Sequence, residues 1–263
     1  VRSAWLIQQP DDYRIQRRQL LEERERNGET PSPLMSKEEG AALLRCADRR
    51  AGAVSYGWET VTHPDPSGTR LRMLRRALQN RQYIEAIFWD MPSLFQHPPD
   101  GARTEDEERS FGRGLSVMGD LYASAVGITV LQIKEVAPLP ANAEGRLHLF
   151  GLSAGVDEAQ LRDTFGKSGT ITSCIIGALQ ASCLQRAVII FTTYAAALDA
   201  KAAGPPAGVC TGLSPFYNEL EYDARGWCCF EEIVSMELIN SLQHYGSAGK
   251  ALSSLPPKML ALS

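Results

Sequence analysis

The feature that most constrains this fold is an alternation of strand-like and helix-like patterns in the first half of the chain. Three short apolar runs rich in β-branched or aromatic residues are strand candidates: residues 53–58 (AVSYGW), 85–90 (EAIFWD) and 127–133 (GITVLQI). Between them, residues 71–79 (LRMLRRALQ) have helical periodicity, and Thr104 with Glu107 forms a capping box that opens a second helix. Strands that alternate with helices predict a parallel sheet covered by helices.

This alternation stops at a linker, VAPLPANAEG (residues 136–145), and resumes only with an amphipathic helix at residues 222–243. Apolar side chains along one side of that helix are Trp227, Phe230, Val234 and Leu238. The first domain is therefore predicted to be interrupted, because this helix is the element that its third strand lacks. The predicted divisions are a helical N-terminal extension (1–52), the first part of the α/β domain (53–137), an insert (146–218), the completing helix (222–245) and a C-terminal tail (246–263).

Two predicted helices make up the N-terminal extension. Residues 11–29 interleave both signs of charge at helical spacings with little apolar surface, a pattern typical of a solvated helix. Ser36 with Glu39 forms a capping box that opens the second helix. We expect this segment to be an appendage of the sheet domain.

The insert has its own pattern of strand, helix, strand, strand, helix and strand. These runs are RLHLFGL, a helix at 157–166 with Asp157 at its N-cap, ITSCIIG, RAVIIFTT, YAAALDAKAAG and LSPFYN. With this order, the segments LHLFGL, LRDTFGKSGTI and LQRAVIIF resemble the RNA-recognition-motif (RRM) family over about a quarter of the chain. That resemblance implies a βαββαβ sandwich.

The RRM resemblance implies single-stranded RNA as a partner on the open sheet face. In that family, bases stack on side chains at three motif positions, which here are His148, Arg186 and Val188. Strand alternation adds Phe150 and Ile190 to the same face. Histidine and arginine can stack on a base but valine cannot, and the charges of the insert nearly balance. The other expectation is therefore that this mostly apolar face docks protein, either a partner or the host domain itself.

The flanking segments resemble a second family. SYGW, FWDMPSLFQ, RTEDEERSFGRGLSVMGDLYASAVGITVLQ and RGWCCFEE stand in the order found in fungal heterokaryon-incompatibility (HET) and related Toll/interleukin-1 receptor (TIR) domains. The expected fold class is therefore α/β, with an RRM-like sandwich inserted into a TIR/HET-like parallel-sheet domain. Plant TIR domains carry a tryptophan, a cysteine and, three residues after the cysteine, a glutamate. Here that pattern falls on Trp227, Cys228 and Glu231.

The TIR resemblance implies an enzymatic alternative. Where such domains are enzymes, they cleave the nicotinamide glycosidic bond of NAD with that glutamate, so NAD would be a substrate and no resident cofactor is expected. Asp90 ends a predicted parallel strand, where α/β ligands bind, and is predicted to line a ligand pocket with Trp58 and Trp227. Two roles without catalysis stay open: Asp90 can cap a helix, and the helix dipole favours Glu231 in a first turn.

Composition narrows the function classes. A net charge of -4 argues against attraction of the whole chain to nucleic acid. The six cysteines and four histidines lack zinc-site spacing, so no metal is expected, and reduced thiols favour an intracellular location, cytoplasmic or nuclear. No apolar stretch reaches the ~20 residues that span a bilayer, so no membrane role is expected. Three functions remain open: RNA binding, NAD glycohydrolysis at Glu231, and a non-catalytic scaffold for protein interactions.

Overall fold

A computed structural model of the chain describes residues 1–98, 101–177 and 185–263, and it is a mixed α/β protein with two four-stranded sheets. Cys183, and Leu184 at the start of the LQRAVIIF segment, lie outside the described residues. The chain divides into two compact units. The parallel-sheet unit consists of Val1–Gly57, Pro64–Val136 and Leu220–Ser263, and the antiparallel-sheet unit consists of Trp58–His63 and Ala137–Glu219.

The helices and strands of the described residues are numbered in chain order. The helices are α1 (Ser3–Gln8), α2 (Arg18–Arg26), α3 (Lys37–Arg45), α4 (Thr69–Asn80), α5 (Asp90–Ser93), α6 (Glu105–Ala123), α7 (Glu158–Phe165), α8 (Tyr194–Ala202), α9 (Gly226–Leu242) and α10 (Gly246–Ser253). The strands are β1 (Ala51–Tyr56), β2 (Ala86–Phe88), β3 (Ile128–Ile133), β4 (Gly145–Phe150), β5 (Ile171–Ile176), β6 (Arg186–Phe191), β7 (Gly212–Pro215) and β8 (Met259–Leu262).

The parallel sheet has the strand order β2-β1-β3-β8, and each neighbouring pair is parallel. All six residues of β1 and all six of β3 are buried, so both faces of the sheet are covered. The expectation of a three-stranded sheet is wrong, because β8 pairs with β3 from within the segment predicted to be a tail. Four residues without polar alternation, MLAL, are too short a run to identify a strand from sequence.

Local sequence explains where the helices of this unit begin. Both predicted capping boxes are present: Ser36 and Glu39 bond reciprocally before α3, and Thr104 and Glu107 do so before α6. The charge-dense run at 11–29 is helical only over α2.

The N-terminal segment contributes to the core of the parallel-sheet unit. Trp5 and Ile15 are 1% exposed, and Leu6 and Leu21 are fully buried. The segment therefore packs in the unit, which differs from the expected appendage. Its apolar residues stand in short runs among charged and polar ones, which is too weak a pattern to predict this burial from the sequence.

The antiparallel sheet has the order β5-β6-β4-β7, and α7 and α8 supply buried residues to the core on one of its faces. Exposure alternates along β4 and β6, as expected for strands with one covered face. Asp157 caps α7 as predicted, since its carboxylate accepts a hydrogen bond from the Gln160 N–H at 2.8 Å. The segment Trp58–His63 extends the sheet edge beyond β7 through a bridge between Thr60 and Tyr217.

Of the helices in the described parts of the chain, none is long and apolar enough to cross a membrane.

Candidate functional site

Polar side chains gather at the carboxyl edge of the parallel sheet. Ser55 and Tyr56 end β1, Asp90 follows β2, and Gln132 lies one residue before the end of β3. Because parallel strands end at the same edge, these residues converge where open α/β sheets bind ligands. Ser55 is fully buried and Gln132 is 5% exposed, in a sheet whose remaining residues are mostly apolar.

Helix α9 brings Glu231 to this edge. The buried residues of α9 are Cys228, Glu231 and Ser235. The apolar side chains Trp227, Phe230 and Leu238, which make the helix amphipathic in sequence, are 61%, 40% and 42% exposed. Helix α9 therefore buries a narrow polar face that contains a carboxyl group.

A chain of hydrogen bonds ends on that carboxyl group. The Gln132 Nε2 group donates to the Tyr222 hydroxyl oxygen at 3.1 Å. The Tyr222 hydroxyl lies 2.5 Å from Ser55 Oγ, and Ser55 Oγ donates to Glu231 Oε2 at 2.6 Å. An ionised carboxylate can only accept, so Ser55 gives its hydrogen to Glu231. The hydrogen between Ser55 and Tyr222 then comes from Tyr222, whose oxygen accepts from Gln132. Every member of the chain then has one consistent direction, from Gln132 to Glu231.

Burial sets the protonation of these groups. Burial raises the pKa of Glu231 to about 7, the Asp90 carboxylate adds to the rise, and the hydrogen bond from Ser55 opposes it. Burial also raises the pKa of Tyr222 to about 12 and that of Cys228 to about 12, so both are neutral near pH 7. Glu231 is thus poised between its charged and neutral forms near neutral pH, as residues of functional sites often are.

Asp90 bonds to Tyr56 and to a backbone N–H at the same edge. Its Oδ1 accepts the Tyr56 hydroxyl at 2.5 Å and the Met91 backbone N–H at 2.7 Å. The second bond is a contact in the first turn of α5, so Asp90 stabilises a helix start while also lying at the strand ends. Burial and the Asp90 carboxylate raise the pKa of Tyr56 well above its usual value, which keeps this hydroxyl a donor.

The two tryptophans of the predicted pocket differ from Asp90 in their surroundings or in their unit. Trp227 is largely exposed, and its aromatic contact is an edge-to-face one with Phe230 at 5.8 Å between ring centroids. Although Trp227 and Glu231 are one helical turn apart, the indole does not share the buried surroundings of the carboxyl group. Trp58 belongs to the antiparallel-sheet unit, so its part in a ligand pocket stays a prediction.

A second candidate surface is the face of the antiparallel sheet opposite α7 and α8. All five predicted surface residues lie on it, because His148 pairs with Val188, Phe150 with Arg186, and Ile190 with Arg146. Their neighbours along the strands, Leu147, Leu149, Ala187 and Ile189, are buried in the core under the other face.

Rings and guanidinium groups interleave on this open face. The rings of His148 and Phe216 are nearly parallel, at 18°, with centroids 5.8 Å apart. The guanidinium of Arg146 lies 4.8 Å from the Phe216 centroid, and that of Arg186 lies 5.5 Å from the Phe150 centroid. Burial and the two arginines lower the pKa of His148 to about 4, so the ring is neutral near pH 7. His148 Nε2 is buried without a hydrogen-bond partner among the described residues.

Some residues at the carboxyl edge and on the open face of the antiparallel sheet were not predicted from the sequence. At the carboxyl edge these were Ser55, Tyr56, Gln132 and Tyr222, and on the open face they were Arg146 and Phe216. For most of them a signal existed: Ser55, Tyr56 and Gln132 are the polar residues near the ends of predicted parallel strands. Period-two alternation through LSPFYN would likewise have brought Phe216 to the open face.

No protein-family model and no curated protein matches this sequence. The chemistry of the carboxyl edge and of the open sheet face must therefore be inferred from their geometry. In the three described ranges, no group of three or more His, Cys, Asp or Glu residues is arranged to hold a metal ion.

Proposed function

We propose that the parallel-sheet unit hydrolyses the N-glycosidic bond of NAD, with Glu231 as the catalytic carboxylate. The observation that supports this most is a buried glutamate at the carboxyl edge, which receives the last bond of a directed hydrogen-bond chain. The reaction breaks the bond between ribose C1 and the nicotinamide nitrogen. Water adds to C1, and the products are nicotinamide, ADP-ribose and a proton.

The carboxylate acts on developing charge in this reaction. Departure of nicotinamide builds an oxocarbenium-like positive charge on the ribose, and a fixed anion beside it lowers the barrier electrostatically. Burial strengthens that effect because the local dielectric constant is low. Glu231 is 8% exposed, so a substrate reaches it only if the groups that cover it move.

The charged form of Glu231 is the active one in this mechanism. With its pKa at about 7, the ionised fraction rises through neutral pH. Nicotinamide release is therefore expected to increase with pH between about 6 and 8. Protonated Glu231 would supply no negative charge to the ribose.

The test is nicotinamide release from NAD by the full chain, followed by chromatography. Glu231→Gln should lower the rate at least about 100-fold, because it removes the charge and keeps the shape. Glu237→Gln is the matched control, because Glu237 lies on the same helix and is exposed. Equal rates for wild type and Glu231→Gln would refute the proposal, as would absence of release from wild type.

We also propose the finer fold assignment, an RRM-like insert within a TIR/HET-like domain. Two observations support this assignment. Residues 145–215 have the βαββαβ order, with two helices on one sheet face. The other unit has a parallel sheet, and α9 follows β3 and precedes β8 in the chain. The predicted insert at 146–218 falls inside the continuous part of the antiparallel-sheet unit, Ala137–Glu219.

A second candidate function is binding of single-stranded RNA on the open face of the antiparallel sheet. The specific observation in its favour is the alternation of His148, Phe150 and Phe216 with Arg146 and Arg186. Rings and guanidinium planes are the groups on which unpaired bases stack, and arginines also contact phosphates.

Titration of fluorescent single-stranded RNA pools into the full chain at two salt concentrations tests this function. His148→Ala and Arg186→Ala should each weaken binding by about 1–3 kcal/mol, the usual contribution of a stacked base. Lys201→Ala on α8 is the control, because α8 supplies core residues under the opposite face. Absence of binding at low salt would instead favour a protein partner on this face and a scaffold role.

A further inference from the structure

We propose that Ser55 is a positioning residue that aims the Glu231 carboxylate and favours its ionised form, and that Tyr222, which accepts from Gln132, directs the Ser55 hydroxyl toward that carboxylate. This inference rests on the proposed reaction at Glu231. Ser55 would not touch the substrate, since its hydroxyl lies between Tyr222 and Glu231 at 2.5 and 2.6 Å.

The single hydrogen of the Ser55 hydroxyl has two possible acceptors, the Tyr222 hydroxyl and the Glu231 carboxylate. An ionised carboxylate can only accept hydrogen bonds, so the contact with Glu231 requires Ser55 to donate to it. The contact between Ser55 and Tyr222 then carries the hydrogen of Tyr222, whose oxygen accepts from Gln132. Tyr222 thus occupies the acceptor side of the Ser55 hydroxyl and keeps the Ser55 hydrogen directed at Glu231.

The surroundings hold this arrangement in place. Ser55, Gln132 and Tyr222 are 0%, 5% and 3% exposed, so water does not compete for their hydrogen bonds. The Lys134 ammonium lies 4.9 Å from the Tyr222 ring centroid and pairs with Glu232 at 3.2 Å, which fixes the ring from outside. Each donor thus has a restricted position before any substrate arrives.

The physical effect of Ser55 is on the balance between charged and neutral Glu231. A hydrogen bond donated to a carboxylate stabilises the charged form and lowers its pKa. Titratable groups that act on Glu231 are Asp90, which disfavours the charge, and the neutral Tyr122, Tyr222 and Cys228. The Ser55 bond works against burial and against Asp90.

The experiment measures the titration of Glu231 in the full chain by ¹³C NMR of glutamate-labelled protein, with Glu231→Gln to assign the signal. Ser55→Ala should raise the titration midpoint by about one pH unit or more, since hydrogen bonds to charged groups are the stronger ones. Ser55→Thr should restore it. Tyr222→Phe should cause a smaller rise, because Ser55 keeps its hydrogen but loses the group that directs it.

The control is Ser235→Ala. Ser235 is also fully buried and bonds to the same residue, but its hydroxyl donates to the Glu231 backbone carbonyl at 2.5 Å. A general loss of packing would move the titration in both serine variants, whereas the positioning role predicts a shift in Ser55→Ala alone. A midpoint that stays in place in Ser55→Ala, or an equal shift in Ser235→Ala, overturns the inference.

The pH profile of nicotinamide release separates this inference from the proposed function. The alkaline shift of the profile in Ser55→Ala should match the NMR shift, with about fivefold less activity near pH 7 for a shift of about one pH unit and recovery at higher pH. A shifted NMR midpoint in a protein that releases no nicotinamide would remove the enzymatic proposal, and with it the reaction that Ser55 serves. Release that depends on Glu231 with an unmoved profile would overturn the role of Ser55 only.

Discussion

The two sheets place their polar side chains in different parts of the structure. In the parallel sheet, every residue of β1 and β3 is buried, and polar groups collect where the strands end. In the antiparallel sheet, α7 and α8 supply the core on one face, and the opposite face carries a row of rings and arginines. A sheet covered on both faces offers ligands an edge, whereas a sheet covered on one face offers them a surface.

The pKa shifts of Glu231 and His148 follow the same contrast between the two units. Burial raises the pKa of Glu231 in one unit and lowers the pKa of His148 in the other, since both groups favour their neutral forms. The contributions of Glu231 and His148 to folding stability therefore change with pH in opposite directions. Four predictions test this comparison, beginning with the largest expected effect.

Leu149→Ala should cost about 2–5 kcal/mol in the antiparallel-sheet unit, because Leu149 is fully buried under the covered face. Ile175→Ala is the control, as Ile175 is 55% exposed and should change stability by less than about 0.5 kcal/mol. Hydrogen exchange of amides within the unit measures both. Similar costs for the two variants would mean that the open face is as buried as the core.

Glu231→Gln should remove a pH dependence of stability worth about 3 kcal/mol. The folded-state pKa of Glu231 is raised from 4.5 to about 7, so its favourable contribution is complete below pH 4.5 and is lost as pH rises through 7. Relative to wild type, the variant should therefore gain stability between pH 4.5 and 8. Thermal unfolding across this range measures the difference, and parallel curves would contradict it.

Gly145→Ala should destabilise the antiparallel sheet by about 1–3 kcal/mol. An added Cβ would overlap the Thr193 carbonyl oxygen and lie 2.8 Å from that of Phe191, and backbone atoms cannot easily move aside. Gly212→Ala in β7 is the control, since its nearest neighbour would be Phe150 Cβ at 3.8 Å. Equal unfolding temperatures for the two variants would show that the start of β4 tolerates displacement.

His148→Phe should remove a smaller pH dependence of the opposite sign, about 1–2 kcal/mol after allowance for partial exposure of the ring. The folded-state pKa of His148 is lowered from 6.5 to about 4, so its contribution is present above pH 6.5 and lost as pH falls through 4. The difference in unfolding free energy between variant and wild type should therefore favour the variant more at pH 4 than at pH 7. If His148→Phe instead gained stability relative to wild type as pH rises, as expected for Glu231→Gln, the contrast between the two sheets would be contradicted.

Elements with strong local signals were predictable from sequence. The capping boxes before α3 and α6, the N-cap Asp157 and the strands β1 and β3 rest on interactions between near neighbours in the chain. Strand β8 and the buried N-terminal segment were not predictable, because their burial depends on residues far away in sequence.

The residues of the candidate site at the carboxyl edge also divide into those that were predictable from sequence and those that were not. Glu231 and Asp90 were identified because each stands at a recognisable position, in a motif or at a strand end. The hydrogen-bond chain that ends on Glu231 was not, since Ser55 lies 176 residues from Glu231 and Gln132 lies 90 residues from Tyr222 in the sequence. Only the register of the sheet brings these residues together, and no local pattern encodes a hydrogen bond between Ser55 and Tyr222.

The pairing of β3 with β8 has a consequence for the order of folding during synthesis. Val130 pairs with Met259, whereas all strand pairs of the antiparallel sheet lie between residues 145 and 215. Contacts between nearby parts of a chain form sooner than distant ones, and chains emerge from the ribosome N-terminus first. The antiparallel sheet can therefore be complete while β3 still has an open edge of apolar residues. During that interval the unpaired edge of β3 can pair with other chains, so aggregation and chaperone binding are expected at this stage.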